Sequence, residues 1–245
     1  LLLSPHLEEI INSYILLFPL KKDSVIIALD SFMQKVDCQA KSYPFIMKYL
    51  LKLAENGKIV NTPSIYTHLV ENYIEKSNCN FLDENNKQKI IKNKNWMNAV
   101  QLNELSHEIA LADTLGDTLR LHDFVKQYDY TVLIFYSPLC SHCKKAMPEI
   151  DKMLNDLEIK HNTKIGRYTI NNGVTNNKIW KDFIHKNNLY NHYGHVLMPS
   201  KSKTQLEYAA FTNPLLFVLD NNGNVIVRRI KESILEDYFE SELGE

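Results

Sequence analysis

The stretch YSPLCSHCKKAMPEI, Tyr136 to Ile150, carries two cysteines, Cys140 and Cys143, with Ser141 and His142 between them and Pro148 beyond. Thiols at this spacing hold a zinc ion, close a small structural bridge or exchange disulfides. A structural zinc site needs about four ligands, usually a second paired-cysteine motif or a histidine pair. Cys38 and Cys79 stand apart from the motif and from each other, and the histidines are scattered, so no metal ligand set is assigned. A purely structural bridge across so short a loop restrains little chain entropy. The redox reading has a mechanism. A cysteine at the first turn of a helix lies at the positive end of the helix dipole, beside unpaired N–H groups that stabilise a thiolate. Cys140 takes that place as nucleophile, and Cys143, one turn on, faces the same side as the resolving thiol. His142 adds positive charge or a hydrogen bond beside the Cys140 sulfur, which favours the reduced thiolate and makes the disulfide a better oxidant. The alternative is an exposed histidine without effect.

These residues need a strand before them and a helix after them. TVLIFYS, residues 131–137, is a nearly continuous apolar run and reads as a strand buried on both faces. Lys144 to Glu158 has helical spacing through Met147, Ile150, Met153, Leu154 and Leu157. A weaker strand, Lys164 to Ile170, and a helix near Lys178 to Asn187 follow. Pro214 then introduces LLFVLD, the turn Asn221-Asn222-Gly223 and NVIVRRI, a hairpin signature, with a charged helix from Lys231. Strands alternating with helices indicate an α/β layer fold.

The first part of the chain has a different period. Leu7, Ile10, Ile11, Tyr14, Ile15 and Phe18 step by three and four behind Ser4-Pro5, a capping pair. Further helices carry Ile26, Leu29, Met33 and Val36, then Phe45, Tyr49, Leu50 and Leu53 with a stop at Asn56-Gly57, then Ile65, Leu69 and Tyr73 behind Thr62-Pro63. A more polar segment from Asp83 to about Leu105 adds one helix and the connection. The expected division is an all-helical domain, residues 1–106, and an α/β domain, residues 107–245.

At 245 residues the chain suits one large or two ordinary domains. A net charge of -1 gives no attraction to nucleic acid, and no apolar run is long enough to cross a membrane as a helix. Four cysteines are too few for a disulfide scaffold. Cys38 and Cys79 read as buried free thiols, with an interhelical disulfide as the alternative. The opening LLLSPHLEEII, with no Met and no cationic lead into an apolar segment, suits a mature form whose targeting segment has been removed, and equally a trimmed cytosolic protein. YNHYGH, Tyr190 to His195, invites a metal or ligand reading but fits exposed loop or strand side chains better. Trp96 and Trp180 read as packing residues, and the tail ESELGE as a solvated end.

Residues 107–245 resemble the thioredoxin superfamily, specifically its TlpA/ResA-like branch. TLGDTLRLHDFV is similar to that branch's N-terminal hairpin, TVLIFYSPLCSHCKKAMPEI to its central strand, active site and first helix, and NPLLFVLDNNGNVIVRRI to its closing hairpin. Pro148 falls where the active-site helix is kinked. Pro214 matches the cis-proline that stands opposite the disulfide, the alternative being an ordinary trans turn proline. LLLSPHLEEIINSYILLFP, KKDSVIIALD and TPSIYTHLVENYI resemble a helical domain of unknown function that precedes thioredoxin-like domains in certain Gram-negative envelope proteins. The resemblance implies a thioredoxin-like fold, a central mixed sheet flanked by helices, with an N-terminal all-α domain. It implies a thiol-disulfide oxidoreductase acting on cysteine-containing protein substrates in the periplasm or cell envelope, lipid-anchored in some forms and fed by a membrane thiol-electron carrier if it works as a reductant. No cofactor beyond the Cys140–Cys143 pair is expected, and Asn213 with Pro214 forms the substrate rest.

Several positions depart from the family pattern. Leu139 replaces the aromatic residue before the first cysteine, and the two acids that help deprotonate the buried thiol are replaced by Ile134 and Ala146. His142, Glu149 or water is left as proton acceptor for Cys143. Asn213 stands where Thr or Val is usual. These losses favour a second reading, an envelope binding or assembly protein whose helical domain does the work. A peroxidase fits less well, because its relatives want a Thr near a single attacking cysteine and the local sequence is SPLCSHC.

Overall fold

In the computed structural model the described residues are 5–15, 22–55, 62–77, 79, 81–199 and 202–244. The Ser4 cap, Phe18 and the Asn56-Gly57 stop lie outside them, as do the side chains of Leu7 and Thr62. The chain divides into two compact units, Leu1–Asn98 and Ala99–Glu245. The division falls earlier than the expected boundary at 106/107. The reason is that residues 99–106 bond to the second unit: Asn103 N–H donates to Val225 O at 2.8 Å, Val225 N–H to Glu104 O at 2.9 Å, and the Arg228 guanidinium to Val100 O at 2.9 Å.

The first unit is helical: α1 Pro5–Ile15, α2 Lys22–Met33, α3 Tyr43–Glu55, α4 Thr62–Val70 running into a π-turn Glu71–Glu75, and α5 Glu84–Met97. Its core gathers Ile11, Ile15, Leu29, Met33, Met47, Leu50, Tyr66 and Leu69. Two expected core residues face solvent, Ile10 at 61% and Phe45 at 44% exposure. In α3 the buried face is Tyr43, Ile46, Met47, Leu50, Leu51 and Ala54. A helix that is apolar on most sides offers two stripes of the same period, and only packing selects one. α5 buries no residue; the Asp83 side chain caps it by accepting from Asn86 N–H at 2.9 Å. Cys38 and Cys79 are joined by a disulfide, with Cα atoms 5.7 Å apart, contrary to the expected free thiols. One lies in the α2–α3 connection and the other before α5, so neither segment is fixed by helix packing alone.

The second unit starts with a two-stranded ribbon, β1 Ala110–Ala112 and β2 Thr118–Arg120, then a short α6 Leu121–Phe124. It continues β3 Tyr130–Tyr136, α7 Ser141–His161, β4 Ile165–Asn171, α8 Asn177–Lys186, β5 Tyr193–Leu197, α9 Lys203–Glu207, β6 Leu215–Asp220, β7 Val225–Ile230 and α10 Leu235–Leu243. The five-stranded sheet has the order β5-β4-β3-β6-β7, with β3, β4 and β5 parallel and β6 and β7 antiparallel to their neighbours. Central β3 is buried on both faces, as its unbroken apolar run requires. Leu133 and Phe135 join the core that includes Leu121, Phe124 and Tyr208. The alternate residues point to the other face, where Tyr136 packs at a tilt against Phe183 of α8 and Tyr130 edge-to-face against Phe239 of α10. The β6–β7 turn uses Gly223 at φ +87°, and Asp220 Oδ1 accepts from the N–H groups of Asn222 and Asn224.

Candidate functional site at the start of helix α7

The site is created by register. β3 and β6 are antiparallel neighbours with Phe135 opposite Leu215, so the segment leaving β3 meets the segment entering β6. The first carries Cys140 and the second Asn213 and Pro214. The Asn213–Pro214 peptide bond is cis, and the Cys140 thiol lies 3.8 Å from Asn213 O.

Cys140 is the N-cap of α7, with extended backbone, and its sulfur accepts from the Cys143 N–H at 3.5 Å. It is half-buried, whereas Cys143 is fully buried, and both are free thiols. Burial opposes ionisation of Cys140, but the Cys143 N–H and thiol, the His142 N–H and the Lys144 charge together bring its pKa below the usual thiol value. Burial pushes the Cys143 thiol the other way, up to about 12, with the neighbouring Cys140 sulfur adding to the rise. One helix start thus holds an activated thiol at the surface and a protonated one behind it.

Ile134 and Ala146, at the positions where the family pattern has acids, are both buried. Tyr136 is a buried polar group that interacts with Cys143. Burial raises its own pKa, a hydrogen bond from Trp180 Nε1 at 2.9 Å opposes this, and the Cys143 sulfur adds to it. Trp180 is therefore a packing residue with a bonded indole, as its place in a helix suggested.

His142 departs from expectation. Its imidazole does not lie among the groups acting on the Cys140 sulfur; Nε2 pairs with Glu232 Oε1 at 2.6 Å. The backbone N–H of His142, not its ring, supports the thiolate. Glu232 opens a 3₁₀ turn, Glu232–Ile234, and no local pattern marks it, since it lies 90 residues from its partner. With Ser141, Lys145, Ala146 and Glu149 the pair lines an open groove of about 380 Å³. Leu139, the neighbour of Cys140 in the chain, is 60% exposed. The Asn213 Oδ1 is buried and accepts no hydrogen bond among the described residues.

In YNHYGH, Tyr190, Asn191 and His192 are exposed as expected, and the chain then turns inward. Tyr193 to Leu197 forms edge strand β5, where His195 accepts from Thr169 Oγ1 and donates to Leu189 O at 2.7 Å. Burial pushes its pKa down to about 4, so it is a neutral core histidine. His192 pairs with Glu158, which also holds the buried Arg167 at 2.7 Å. Among the described residues no three His, Cys, Asp or Glu side chains cluster as metal ligands.

Residues 127–225 match the family model described as thioredoxin-like. A thioredoxin-like protein from Bacteroides caccae is similar at TM-score 0.64 over 90% of this chain and 77% of that one, at 16% identity, a likeness of fold. A domain of a possible thiol-disulfide isomerase from Cytophaga hutchinsonii is 25% identical, covering 59% of this chain and 97% of that one, TM-score 0.50. A protein disulfide-isomerase from Medicago sativa is 50% identical over 36 residues, 15% of this chain. The match spans only 7% of that protein's length. The second unit has a thioredoxin-like fold, a mixed sheet flanked by helices, preceded by a helical N-terminal unit.

Proposed function

We propose that the chain is a thiol-disulfide oxidoreductase that exchanges disulfides with cysteines of protein substrates. The observation that carries this reading is the asymmetry of the two thiols: Cys140 is activated and half-exposed beside Asn213 and cis-Pro214, and Cys143 is buried with its proton retained. In the reducing direction the Cys140 thiolate attacks a substrate disulfide, forming a mixed disulfide as one substrate thiolate leaves. Cys143 loses its proton and attacks the Cys140 sulfur, which expels the second substrate thiolate and leaves a Cys140–Cys143 disulfide. Two electrons pass to the substrate, and a thiol-bearing electron carrier restores the dithiol. In the oxidising direction the same steps run backwards, and no further cofactor is needed.

Asn213 and Pro214 are the substrate rest in this reading. The backbone entering β6 offers extended hydrogen-bonding groups to a bound peptide, which suits recognition loose in sequence. The Cys38–Cys79 disulfide supports a site of action in the periplasm or cell envelope, since structural bridges persist in oxidising compartments. No described helix is long and apolar enough to cross a membrane.

The test is trapping. Cys143→Ser should accumulate mixed disulfides with protein substrates, and Cys140→Ser should accumulate none. Equal trapping by both variants, or none by either, would leave the second unit as a scaffold and favour a binding role for the helical unit.

A further inference from the structure

We propose that Glu232 is a positioning residue of the dithiol site: its carboxylate holds the His142 imidazole on the groove side of α7, away from the Cys140 sulfur, and keeps the Cys140–Cys143 pair more reducing than a histidine in that motif would otherwise make it. The inference rests on the redox reading of the two cysteines.

His142 occupies the second position of α7, after the Cys140 cap and Ser141. A ring there has two directions open to it, back over the helix start toward the sulfur or sideways into the groove. The groove wins because Glu232 accepts from Nε2 at 2.6 Å. Glu232 is the better fixed partner, 22% exposed against 58% for the histidine side chain. Its turn is anchored at both ends, by β7 paired to β6 before it and by fully buried Leu235 after it. The other charged groups lining the groove are Lys145 and Glu149, both on α7. Among the described residues lining the groove, Glu232 alone comes from outside the helix, and it pairs with the imidazole.

The consequence follows from linkage. An imidazole beside Cys140 would stabilise its thiolate, hence the reduced protein, and make the disulfide a stronger oxidant. Engaged with Glu232, the ring contributes nothing there, and the thiolate depends on backbone N–H groups, the Cys143 thiol and Lys144. The histidine between the cysteines is a latent tuner, and the turn after β7 sets whether it acts.

The experiment uses the full chain as wild type, Glu232→Ala, His142→Ala and the double variant. Thiolate absorbance gives the Cys140 midpoint, and glutathione equilibration gives the potential. Glu232→Ala should lower the midpoint by about one pH unit and, above both midpoints, move the glutathione equilibrium about tenfold toward the dithiol, about 30 mV more oxidising. His142→Ala should stay within about a factor of two of wild type, and the double variant should return to it. Should alanine disturb the turn, Glu232→Gln keeps its shape without its charge and should shift both readouts in the same direction, by less. Unshifted values in both Glu232 variants, or a shift that persists in the double variant, would overturn the role assigned to Glu232 and leave the redox reading standing. A wild type that forms no Cys140–Cys143 disulfide at any glutathione ratio would overturn both.

Discussion

At the residue scale the proposed chemistry rests on two identical side chains made different by place. A cap position with three donors and a nearby lysine stabilises one thiolate, and burial keeps the other protonated. In the proposed reaction, with Ile134 and Ala146 both apolar and buried, deprotonation of Cys143 is the step expected to limit turnover. A thiol with a pKa of about 12 is ionised to about one part in 10⁵ at pH 7. The breakdown rate of a preformed mixed disulfide on Cys140 should therefore rise about tenfold per pH unit through the neutral range, as rapid-quench thiol trapping would measure. A flat profile would mean that a local base serves Cys143. The same raised pKa fixes a sign for stability. Unfolding releases the Cys143 proton above the ordinary thiol range, so this contribution to the reduced protein is complete below about pH 8.5 and is lost as pH rises toward 12. Both cysteines were legible from type and spacing alone. The direction of the His142 ring was not, because Glu232 is remote in sequence and reaches it only through the fold.

At the element scale, helix starts and connections carry most of the specificity. α7 begins at Ser141, just after the Cys140 cap, because the apolar strand ends at Tyr136 and the cap geometry follows within a few residues; Pro148 lies within the helix, as the family pattern implied. In the helical unit the least constrained elements are tied covalently. The Cys38–Cys79 bridge closes a loop with a sequence separation of 41, worth about 3–4 kcal/mol by loop-closure entropy. Cys38→Ser/Cys79→Ser should lose that stability in chemical denaturation of the first unit, while the glutathione equilibrium of Cys140 and Cys143 stays unchanged. Equal denaturation midpoints with and without the bridge would show that α5 and its neighbours hold without it. The pairing escaped sequence reading for a simple reason. Two cysteines in separate irregular segments show no spacing rule, and only the packed helices bring their Cα atoms within bridging distance.

At the scale of the whole molecule, the two units invite separation, and the structure says where to cut. A chain starting at Ala99 retains Val100, 3% exposed, and the backbone bonds of Asn103 and Glu104 to Val225; one starting at His107 loses them. Losing one buried valine and several hydrogen bonds costs about 3 kcal/mol or more, and so a Tm lower by about 6–12 °C. Calorimetry on residues 99–245 and 107–245 would compare them; equal Tm values would place the boundary at 107 after all. The sequence by itself determined the two periodicities, the strand that leads into the cysteines, the closing hairpin and the two thiols. Each of these depends on side chains within a few positions of one another, where period, capping and turn chemistry act directly. Tertiary structure alone decided which stripe of α3 is buried, that YNHYGH supplies an edge strand with a neutral core histidine, that residues 99–106 belong with the sheet, and that His142 turns to Glu232. These outcomes are choices between locally equivalent alternatives, and they are made by partners that the chain brings close only after the sheet has set its register.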